Sequence, residues 1–315
     1  MKQIEPGTKV AGLDIGKHWL DLGLCDGQTH LRFANTMAGI AELIRQVQEW
    51  AVERIGLEAS GNYERDVREA LEAAGLEVVM FQPIEVRAFA RWHRLRAKSD
   101  KADAYLIALA TKAYKGTASR RAPEQAELSE LLTVYEQISD LLAKSKTQSE
   151  HDRLTDSKAL RAQIGACLRQ AKAQALELIM QRVRQRPDLL KRFELLKSLP
   201  GVGQVVALAL LIRMPELGHM SPKKPAALLG VAPFDHDSGM MRGRRFIAGG
   251  RARPRAFVYI AALAAKCMDT PFRTFAQRLA KNGKPPKIII VVVMRKLIEA
   301  ANAVLWRQTL WEKST

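Results

Sequence analysis

The sequence predicts an α/β domain followed by a mostly helical region, and two patterns indicate this division. From Lys9 to about Tyr114, short apolar runs typical of strands alternate with segments whose apolar residues recur at helical spacing. In the remainder of the chain the helical spacing dominates. We therefore expect an α/β domain over residues 1–122, a helical arm over 123–187 and a helical domain over 188–315.

The α/β part begins with three strand-like runs, at 9–15, 19–25 and 30–35. A helical segment, a fourth strand, a second helix, a fifth strand stopped by Pro83 and a last helix that starts at Asp100 follow. Three meandering strands followed by alternating helices and strands are the element order of an RNase H-like fold. In such a sheet the first and fourth strands are parallel neighbours, so residues at their ends emerge at one edge.

The predicted arm lies between Pro123 and Pro187. Apolar residues recur there at three- and four-residue steps in two segments, which a polar stretch separates. This pattern predicts two long amphipathic helices. They form either an antiparallel coiled-coil arm or an ordinary helical hairpin packed on a domain.

The C-terminal domain opens with the stretch "LPGVG" between two helical segments. It resembles the hairpin of a helix-hairpin-helix motif, in which glycines let backbone N–H groups approach a phosphate. Gly201 and Gly203 are therefore candidate nucleic-acid contacts. The alternative is a glycine-rich turn that links two core helices.

The composition favours a polyanionic partner. Among 315 residues, 50 Lys and Arg face 33 Asp and Glu, which gives a formal net charge of +17. Each Lys or Arg that meets a phosphate releases condensed counterions, so nucleic acid is the first partner to expect. A basic ribosome-associated factor is the alternative that charge alone leaves open.

Cysteine usage and hydropathy predict a cytoplasmic protein, associated with the nucleoid and without a membrane partner. Cys25, Cys167 and Cys267 are far apart and have the spacing of neither a disulfide framework nor a zinc site. No secretory signal pattern opens the chain. The longest apolar run, at 288–294, is too short to span a bilayer.

Four acidic residues are candidate metal ligands. Asp14 ends the first predicted strand and Glu58 ends the fourth, while Asp100 and Asp103 lie three apart at the start of the last helix, on one face. The topology brings all four to one edge, where hard oxygen ligands suit Mg²⁺, with Mn²⁺ as the alternative. Taken singly, Asp14 is more simply a turn residue or cap, whereas propensity gives no reason for Glu58 at the end of an apolar run. Asp100 has a helix cap as its alternative, with Asp103 in the first turn near the helix dipole.

Basic residues surround both candidate sites. Arg94, Arg96 and Lys98 precede the helix that carries the two aspartates, and they are candidate phosphate contacts, with a solvated charged face as the alternative. The C-terminal stretch "FDHDSGMMRGRR" sets Ser238 beside arginines, and without further context Asp-Ser-Gly is common turn chemistry. The candidate nucleic-acid contacts in and after this stretch are Arg242, Arg244, Arg245, Arg251 and Arg253.

Five motifs, in order along the chain, resemble those of transposases of the one-hundred-and-ten family of bacterial insertion sequences. The resemblance covers nearly the whole chain, and the motifs are "GLDIGK", "GLEASGNYER", "AKSDKADA", "LPGVG" and "GVAPFDHDSGMMRGRR". Members of that family resemble the RuvC resolvase in their N-terminal DEDD domain and carry a C-terminal transposase domain with a serine. The resemblance implies site-specific recombination of double-stranded donor and target DNA, guided by a structured bridge RNA, in a dimer or tetramer.

Carried over to this chain, the resemblance implies that Ser238 attacks a DNA phosphodiester and forms a covalent phosphoserine. It places Asp14, Glu58, Asp100 and Asp103 on the Mg²⁺-binding tetrad. One alternative is a RuvC-like metal-dependent endonuclease in which Ser238 is structural. The other is a non-catalytic nucleic-acid-binding protein whose acids are helix caps.

Overall fold

The computed structural model describes residues 9–59, 61, 63–94, 99–116, 123–234 and 245–312, with backbone only at 123 and 124. The chain divides into two compact units, Met1–Arg121 and Ala122–Thr315. The predicted helical arm lies within the second unit, and its boundary with a separate C-terminal domain at residue 187 stays a prediction.

The first unit has the strands and helices that the sequence predicts, with one helix more. Its elements are β1 (Val10–Ile15), β2 (Trp19–Leu24), β3 (His30–Ala34), α1 (Met37–Glu49), β4 (Arg54–Glu58), α2 (Arg65–Ala73), β5 (Glu77–Phe81), α3 (Pro83–Trp92) and α4 (Asp100–Ala113). The sheet order is β3-β2-β1-β4-β5, antiparallel from β3 to β1 and parallel from β1 to β5. The mixed α/β fold, with β1 and β4 as parallel neighbours, is confirmed.

Helix α3 is absent from the sequence-based prediction, which reads Pro83 only as the end of a strand. Proline is also well suited to the first position of a helix, because it lacks the N–H that would stay unbonded there and its φ is already helical. Glu85 completes a capping box by accepting a hydrogen bond from the backbone N–H of Gln82, at 2.7 Å. Pro83 therefore ends β5 and starts α3.

The two faces of the sheet bury different helices. Helices α1 and α2 cover one face through an aliphatic core that includes Leu13, Leu43 and Leu71. Helices α3 and α4 pack with the opposite face, in a second cluster that includes Phe81 and Ile107. Because successive side chains of a strand point to opposite faces of the sheet, each strand residue faces one helix pair or the other.

A row of glycines lets α4 lie unusually close to the sheet. Gly12 of β1 pairs with Gly23 of β2 and with Gly56 of β4. A Cβ on Gly12 would lie 2.2 Å from both the carbonyl oxygen of Ala104 and the backbone nitrogen of Ala108. The backbone of α4 therefore occupies the space that side chains would otherwise fill.

The second unit is almost entirely helical. Its elements are α5 (Pro123–Ser149), α6 (Thr155–Arg184), α7 (Pro187–Lys197), α8 (Gln204–Arg213), α9 (Lys224–Leu229), β6 (Pro233–Phe234), β7 (Phe246–Ile247), α10 (Ala252–Ala265), α11 (Pro271–Lys281) and α12 (Pro286–Arg307). Helices α5 and α6 pack along each other as the predicted pair. Their ends nearest to the rest of the unit join its core through residues such as Leu128 and Ile179. A coiled-coil arm is not confirmed.

The stretch between α7 and α8 does not confirm the helix-hairpin-helix prediction. Gly201 adopts a positive φ of 78°, and a Cβ there would lie 2.3 Å from the carbonyl oxygen of Ala261 and 2.7 Å from the backbone nitrogen of Ala265. This glycine therefore serves the close approach of α10. Gly203 caps α8 and has nothing within 4 Å of its Cβ position, so its role in phosphate binding stays a prediction.

No helix among the described residues is long and apolar enough to cross a membrane.

Candidate active site

Strands β1 and β4 place two carboxylates on the face of the sheet that carries α4. Asp14 lies two residues after Gly12, and Glu58 lies two residues after Gly56, so both side chains share the side of those glycines. Asp14 is the next-to-last residue of β1, and Glu58 is the last residue of β4. The two acids therefore emerge at the same end of neighbouring strands, as predicted.

Helix α4 supplies the other two carboxylates from its first turn. Ser99 caps this helix by accepting a hydrogen bond from the backbone N–H of Ala102, at 3.2 Å. Asp100 and Asp103 follow, and both are favoured there by the helix dipole. The alternative interpretation of these residues is thus partly correct. Both lie in the first turn of the helix, but the N-cap is Ser99. We call Asp14, Glu58, Asp100 and Asp103 the acid cluster.

The four members of the acid cluster act on one another electrostatically. Burial raises the pKa of Asp14 to about 6, helped by the charge of Asp103 and, to a smaller extent, by those of Glu58 and Asp100. A hydrogen bond of 3.0 Å from the backbone N–H of Ile15 acts in the opposite direction. Burial and the charge of Asp103 also raise the pKa of Glu58. The fold therefore brings together four acids from three elements.

The chemistry of these donors fits a hard divalent cation, which would offset the repulsion among them. Arg87 of α3 supplies part of that compensation, because its charge lowers the pKa of Glu58. Within the described residues, however, no three His, Cys, Asp or Glu side chains are grouped closely enough to hold an ion.

A buried ion-pair network lies beside the acid cluster. Asp21 of β2 pairs in register with Asp14 and is 3% exposed. Arg32 of β3 holds it with two hydrogen bonds, from Nε to Oδ1 at 2.9 Å and from Nη2 to Oδ2 at 3.1 Å. His30 Nε2 lies 2.7 Å from the same Oδ1. Arg32 Nη2 also donates to Oδ2 of Asp100.

Arg32 therefore ties the start of α4 to the edge of the sheet and fixes one oxygen of Asp100. The side chain of Asp100 is 61% exposed, and this bond restrains its rotation. The sequence analysis did not select Asp21, Arg32 or His30. A signal was present, because Asp21 is a single acid within the apolar run of β2, and a hairpin of β2 and β3 places Arg32 opposite it.

Substitution Arg32→Met is expected to lower the thermal stability of the first unit, because the buried carboxylate of Asp21 then keeps only His30 as a side-chain partner among the described residues. The double variant Asp21→Asn/Arg32→Met should lose less than the sum of the two single losses, since the neutral amide needs no counter-charge. Thermal melts of the four proteins measure this coupling. Arg45→Met, which removes the same charge from an exposed position of α1, is the control. Additive losses would contradict the role assigned to Arg32.

The basic residues predicted near the acid cluster are described only in part. Arg94 is exposed and lies just after α3, with a positive φ of 57°. It precedes the α4 cap, Ser99, by five positions. Arg96 and Lys98 fall outside the described residues. Phosphate binding by these three residues stays a prediction.

Ser238, Arg242 and Arg244 also lie outside the described residues. The chain leaves the described part after Phe234 and re-enters it at Arg245, which is exposed. Strands β6 and β7, on either side of this gap in the description, pair antiparallel, and Phe234 lies opposite Phe246.

The two arginines predicted after this segment have carboxylate partners within the second unit. Arg251 donates to both oxygens of Glu216, at 2.6 and 2.8 Å, and to a backbone carbonyl at 2.7 Å. Arg253 donates to both oxygens of Asp140, at 2.6 and 3.2 Å. Each guanidinium group therefore already has a carboxylate partner within the protein. The role of the two arginines as phosphate contacts stays a prediction.

Two family models match the chain. A model described as a transposase matches residues 11–157, and a model of the transposase IS116/IS110/IS902 family matches residues 193–277. The first match contains the whole acid cluster, and the second contains Ser238.

Full-length relatives extend these matches. The chain is 26% identical to the pilin gene-inverting protein of Moraxella bovis over 316 residues, which covers 96% of this chain and 97% of the relative. The pilin gene-inverting protein of Moraxella lacunata matches with the same identity and coverage.

Among solved structures, the chain is similar to T. thermophilus RuvC in complex with a Holliday junction substrate. The match has 18% identity and a TM-score of 0.26, and it covers 33% of this chain and 92% of that one. The assignment of the fold of the first unit is therefore based on its own strand pairing and not on this similarity.

Proposed function

Because the chain belongs to the IS116/IS110/IS902 family of transposases, and is therefore an enzyme that acts on DNA, we propose that it is a site-specific recombinase with a serine nucleophile. It cuts donor and target DNA and rejoins the strands through a covalent phosphoserine at Ser238. The acid cluster holds Mg²⁺ or Mn²⁺ at the scissile phosphate, and a bridge RNA directs the protein to its sites.

The observation that carries this proposal is the acid cluster. Four carboxylates from β1, β4 and the first turn of α4 form it. Burial raises the pKa of Asp14 to about 6, and the charges of Asp103, Glu58 and Asp100 add to that effect. Helix caps alone would not require Asp14 and Glu58, two partly buried acids at the ends of neighbouring strands. A bound divalent cation would supply charge stabilisation to the phosphate during the displacement.

The serine chemistry is a pair of transesterifications. The Oγ of Ser238 attacks phosphorus, a P–Oγ bond forms, and the bond from phosphorus to one sugar oxygen breaks. The serine proton passes to a base, and the departing sugar oxygen takes up a proton from an acid or from water and leaves as a free hydroxyl. A hydroxyl of the partner strand then attacks the phosphoserine and releases Ser238. Because each step exchanges one phosphoester for another, rejoining needs no external energy source.

The relatives favour rejoining over cleavage alone. The name of the Moraxella proteins assigns them inversion of a pilin gene, and an inversion must reseal every strand that it cuts. Their similarity covers 96% of this chain. A hydrolytic endonuclease would lose the phosphoester energy at the cleavage step.

Guide RNA and oligomer formation complete the proposal. A net charge of +17 suits an enzyme that binds a structured RNA together with two DNA molecules. Two duplexes that are each cut on both strands need several serines at once, which a dimer or tetramer provides. Both features are implied by the family resemblance.

The test is a search for a protein–DNA adduct. Purified protein is incubated with Mg²⁺, its co-purifying RNA and labelled donor and target duplexes, then denatured and separated by size. Wild type is expected to form an adduct that survives denaturation, and Ser238→Ala is expected to form none. Ser221→Ala, an exposed serine of the same unit, is the control and should keep the adduct.

Each alternative gives a different result. Strand cleavage that persists in Ser238→Ala without any adduct identifies a metal-dependent endonuclease. Tight binding without cleavage by wild type identifies a nucleic-acid-binding protein. Sequencing of the co-purified RNA, followed by its removal with RNase, tests the guide: recombination that continues after removal would contradict an RNA-guided enzyme.

A further inference from the structure

The connected ends of α5 and α6 enclose an open notch of about 310 Å³. Part of its wall is formed by the last two turns of α5, and the rest by the first half of α6 and the connection between the helices. Gly165 of α6 is buried in this wall, and a Cβ there would lie 3.3 Å from Nη1 of Arg169. The missing side chain therefore leaves room beneath the guanidinium of Arg169. We call this feature the hairpin notch.

The charge of the hairpin notch is strongly positive. Its lining contains four cations, Lys146, Lys158, Arg161 and Arg169, and one acid, Asp152. The acid is already neutralised, because Arg161 donates to both of its oxygens and holds its pKa below the usual value. The remaining three cations outnumber the acids of the lining.

Two of those cations have no acidic partner among the described residues. Lys158 lies close enough to Asp152 to lower its pKa, so it shares that carboxylate with Arg161. Lys146 and Arg169 are exposed, and neither forms an ion pair with any residue in the described part of the chain. Cations gathered around a gap, without carboxylates to balance them, lower the energy of an anion placed there.

The shape and the donor types indicate which anion fits. The hairpin notch is partly open to solvent and not an enclosed cavity, so a polymer can lie against it. Arginine supplies a planar fork that matches phosphate oxygens, and lysine supplies a point charge that tolerates variable geometry. Ser145, also in the lining, adds a hydroxyl. A repeating phosphate polymer uses all of these features, whereas an isolated small anion needs an enclosed pocket.

We propose that the hairpin notch binds the phosphodiester backbone of a nucleic acid through Lys146, Lys158 and Arg169. This contact belongs to the second unit and is separate from the acid cluster and from Ser238. It goes beyond the proposed function, because it assigns a binding role to the helical hairpin whether or not Ser238 is the nucleophile. DNA and RNA share the chemistry, and the experiment distinguishes them.

The test measures the salt dependence of binding by the full-length protein. Fluorescence anisotropy gives the affinity for a labelled DNA duplex and, separately, for a labelled single-stranded RNA over a series of KCl concentrations. A plot of log K against log[salt] has a negative slope, and the word slope refers here to its magnitude. Loss of one phosphate contact lowers this magnitude by about 0.9 for duplex DNA and about 0.7 for a single strand. The double variant Lys146→Met/Arg169→Met is therefore expected to lower the slope by about 1.8 or about 1.4.

Two controls separate a phosphate contact from a general loss of charge. Lys144→Met removes one charge from α5, as Lys146→Met does, but outside the notch lining, and should leave the slope unchanged. Arg169→Lys keeps the charge and should retain most of the slope that Arg169→Met loses. Circular dichroism and thermal melts of each variant check that helix content is preserved.

A lower slope with DNA alone assigns the hairpin notch to DNA, a lower slope with RNA alone assigns it to RNA, and a lower slope with both shows a shared backbone contact. An unchanged slope with both nucleic acids, or an equal change in Lys144→Met, overturns the proposal. The phosphoserine adduct is scored in the same preparations. Since the adduct depends on Ser238 and the salt slope on the notch, failure of one proposal leaves the other result readable.

Discussion

Substitution Asp14→Asn is expected to abolish DNA strand cleavage and joining while the protein stays folded. The amide matches the carboxylate in shape but lacks the charge that holds and orients a cation in the acid cluster. Metal stabilisation of a transferring phosphoryl group contributes several kcal/mol, so a loss of about 4 kcal/mol corresponds to a rate about a thousandfold lower. The measurement is the rate of adduct formation with labelled duplexes at saturating Mg²⁺.

The same substitution is expected to raise thermal stability in metal-free buffer at about pH 8. The folded pKa of Asp14, about 6, lies above the usual carboxyl pKa of 3.8, so the folded state binds this proton more tightly than the unfolded state. Stability from this group is therefore lost as pH rises from about 4 through 6, and the ionised carboxylate opposes folding above that range. The Tm advantage of Asp14→Asn should shrink as pH falls towards 4.

Asp26→Asn is the matched control, with the opposite sign. Asp26 lies in the turn between β2 and β3 and accepts hydrogen bonds of 2.9 Å from the backbone N–H groups of Gln28 and Thr29. The hydroxyl and backbone bonds from Thr29 and the bond from Gln28 lower its pKa, so its charge favours folding. Asp26→Asn should keep activity and lose stability. Full activity in Asp14→Asn would exclude a metal role for the acid cluster.

Substitution Gly12→Ala is expected to unfold the first unit or to destabilise it by more than about 4 kcal/mol. The added Cβ would lie 2.2 Å from two backbone atoms of α4, contributed by Ala104 and Ala108. No side-chain rotation relieves a contact between a Cβ and a helix backbone, so α4 must move away from the sheet. That movement would also withdraw Asp100 and Asp103 from the strands. Hydrogen exchange measured on peptides from β1 and α4 reports the loss.

Gly16→Ala is the control for this prediction. Gly16 follows β1 directly, and its Cβ position has only an ordinary contact, 3.5 Å from the carbonyl oxygen of Trp19. The same added methyl should therefore change the free energy of unfolding of the unit by less than about 0.5 kcal/mol. Similar exchange rates in Gly12→Ala and wild type would show that α4 does not lie against the glycine row.

Local patterns were sufficient for most elements of the first unit. The alternating and continuous apolar runs identify all five strands. A strand buried on one face needs an apolar side chain at every second position, and a strand buried on both faces needs one at every position. The acids Asp14 and Glu58 were identified because each interrupts such a run near its end. The sequence-based prediction missed α3, because Pro83 was interpreted only as the end of a strand and the same residue also begins a helix.

In the second unit a local pattern gives an incomplete interpretation. "LPGVG" suits a phosphate-binding turn by composition, yet Gly201 faces the backbone of α10. Arg251 and Arg253 look like free cations in a basic stretch, yet Glu216 and Asp140 lie 35 and 113 positions before them and pair with them. A sequence does not display partners that are distant along the chain.

The sequence by itself determined the strands, the helical second half, the basic charge and the identity of the four acids, because each depends on residue type and short-range spacing. Only the tertiary structure decided that Gly12, Gly23 and Gly56 form one row, that α4 lies on it, and that Arg32 joins Asp21 to Asp100. These are contacts across strand pairs and between a sheet and a helix about 90 residues later. Their energies depend on distances of a few ångströms, which the fold sets and local spacing does not.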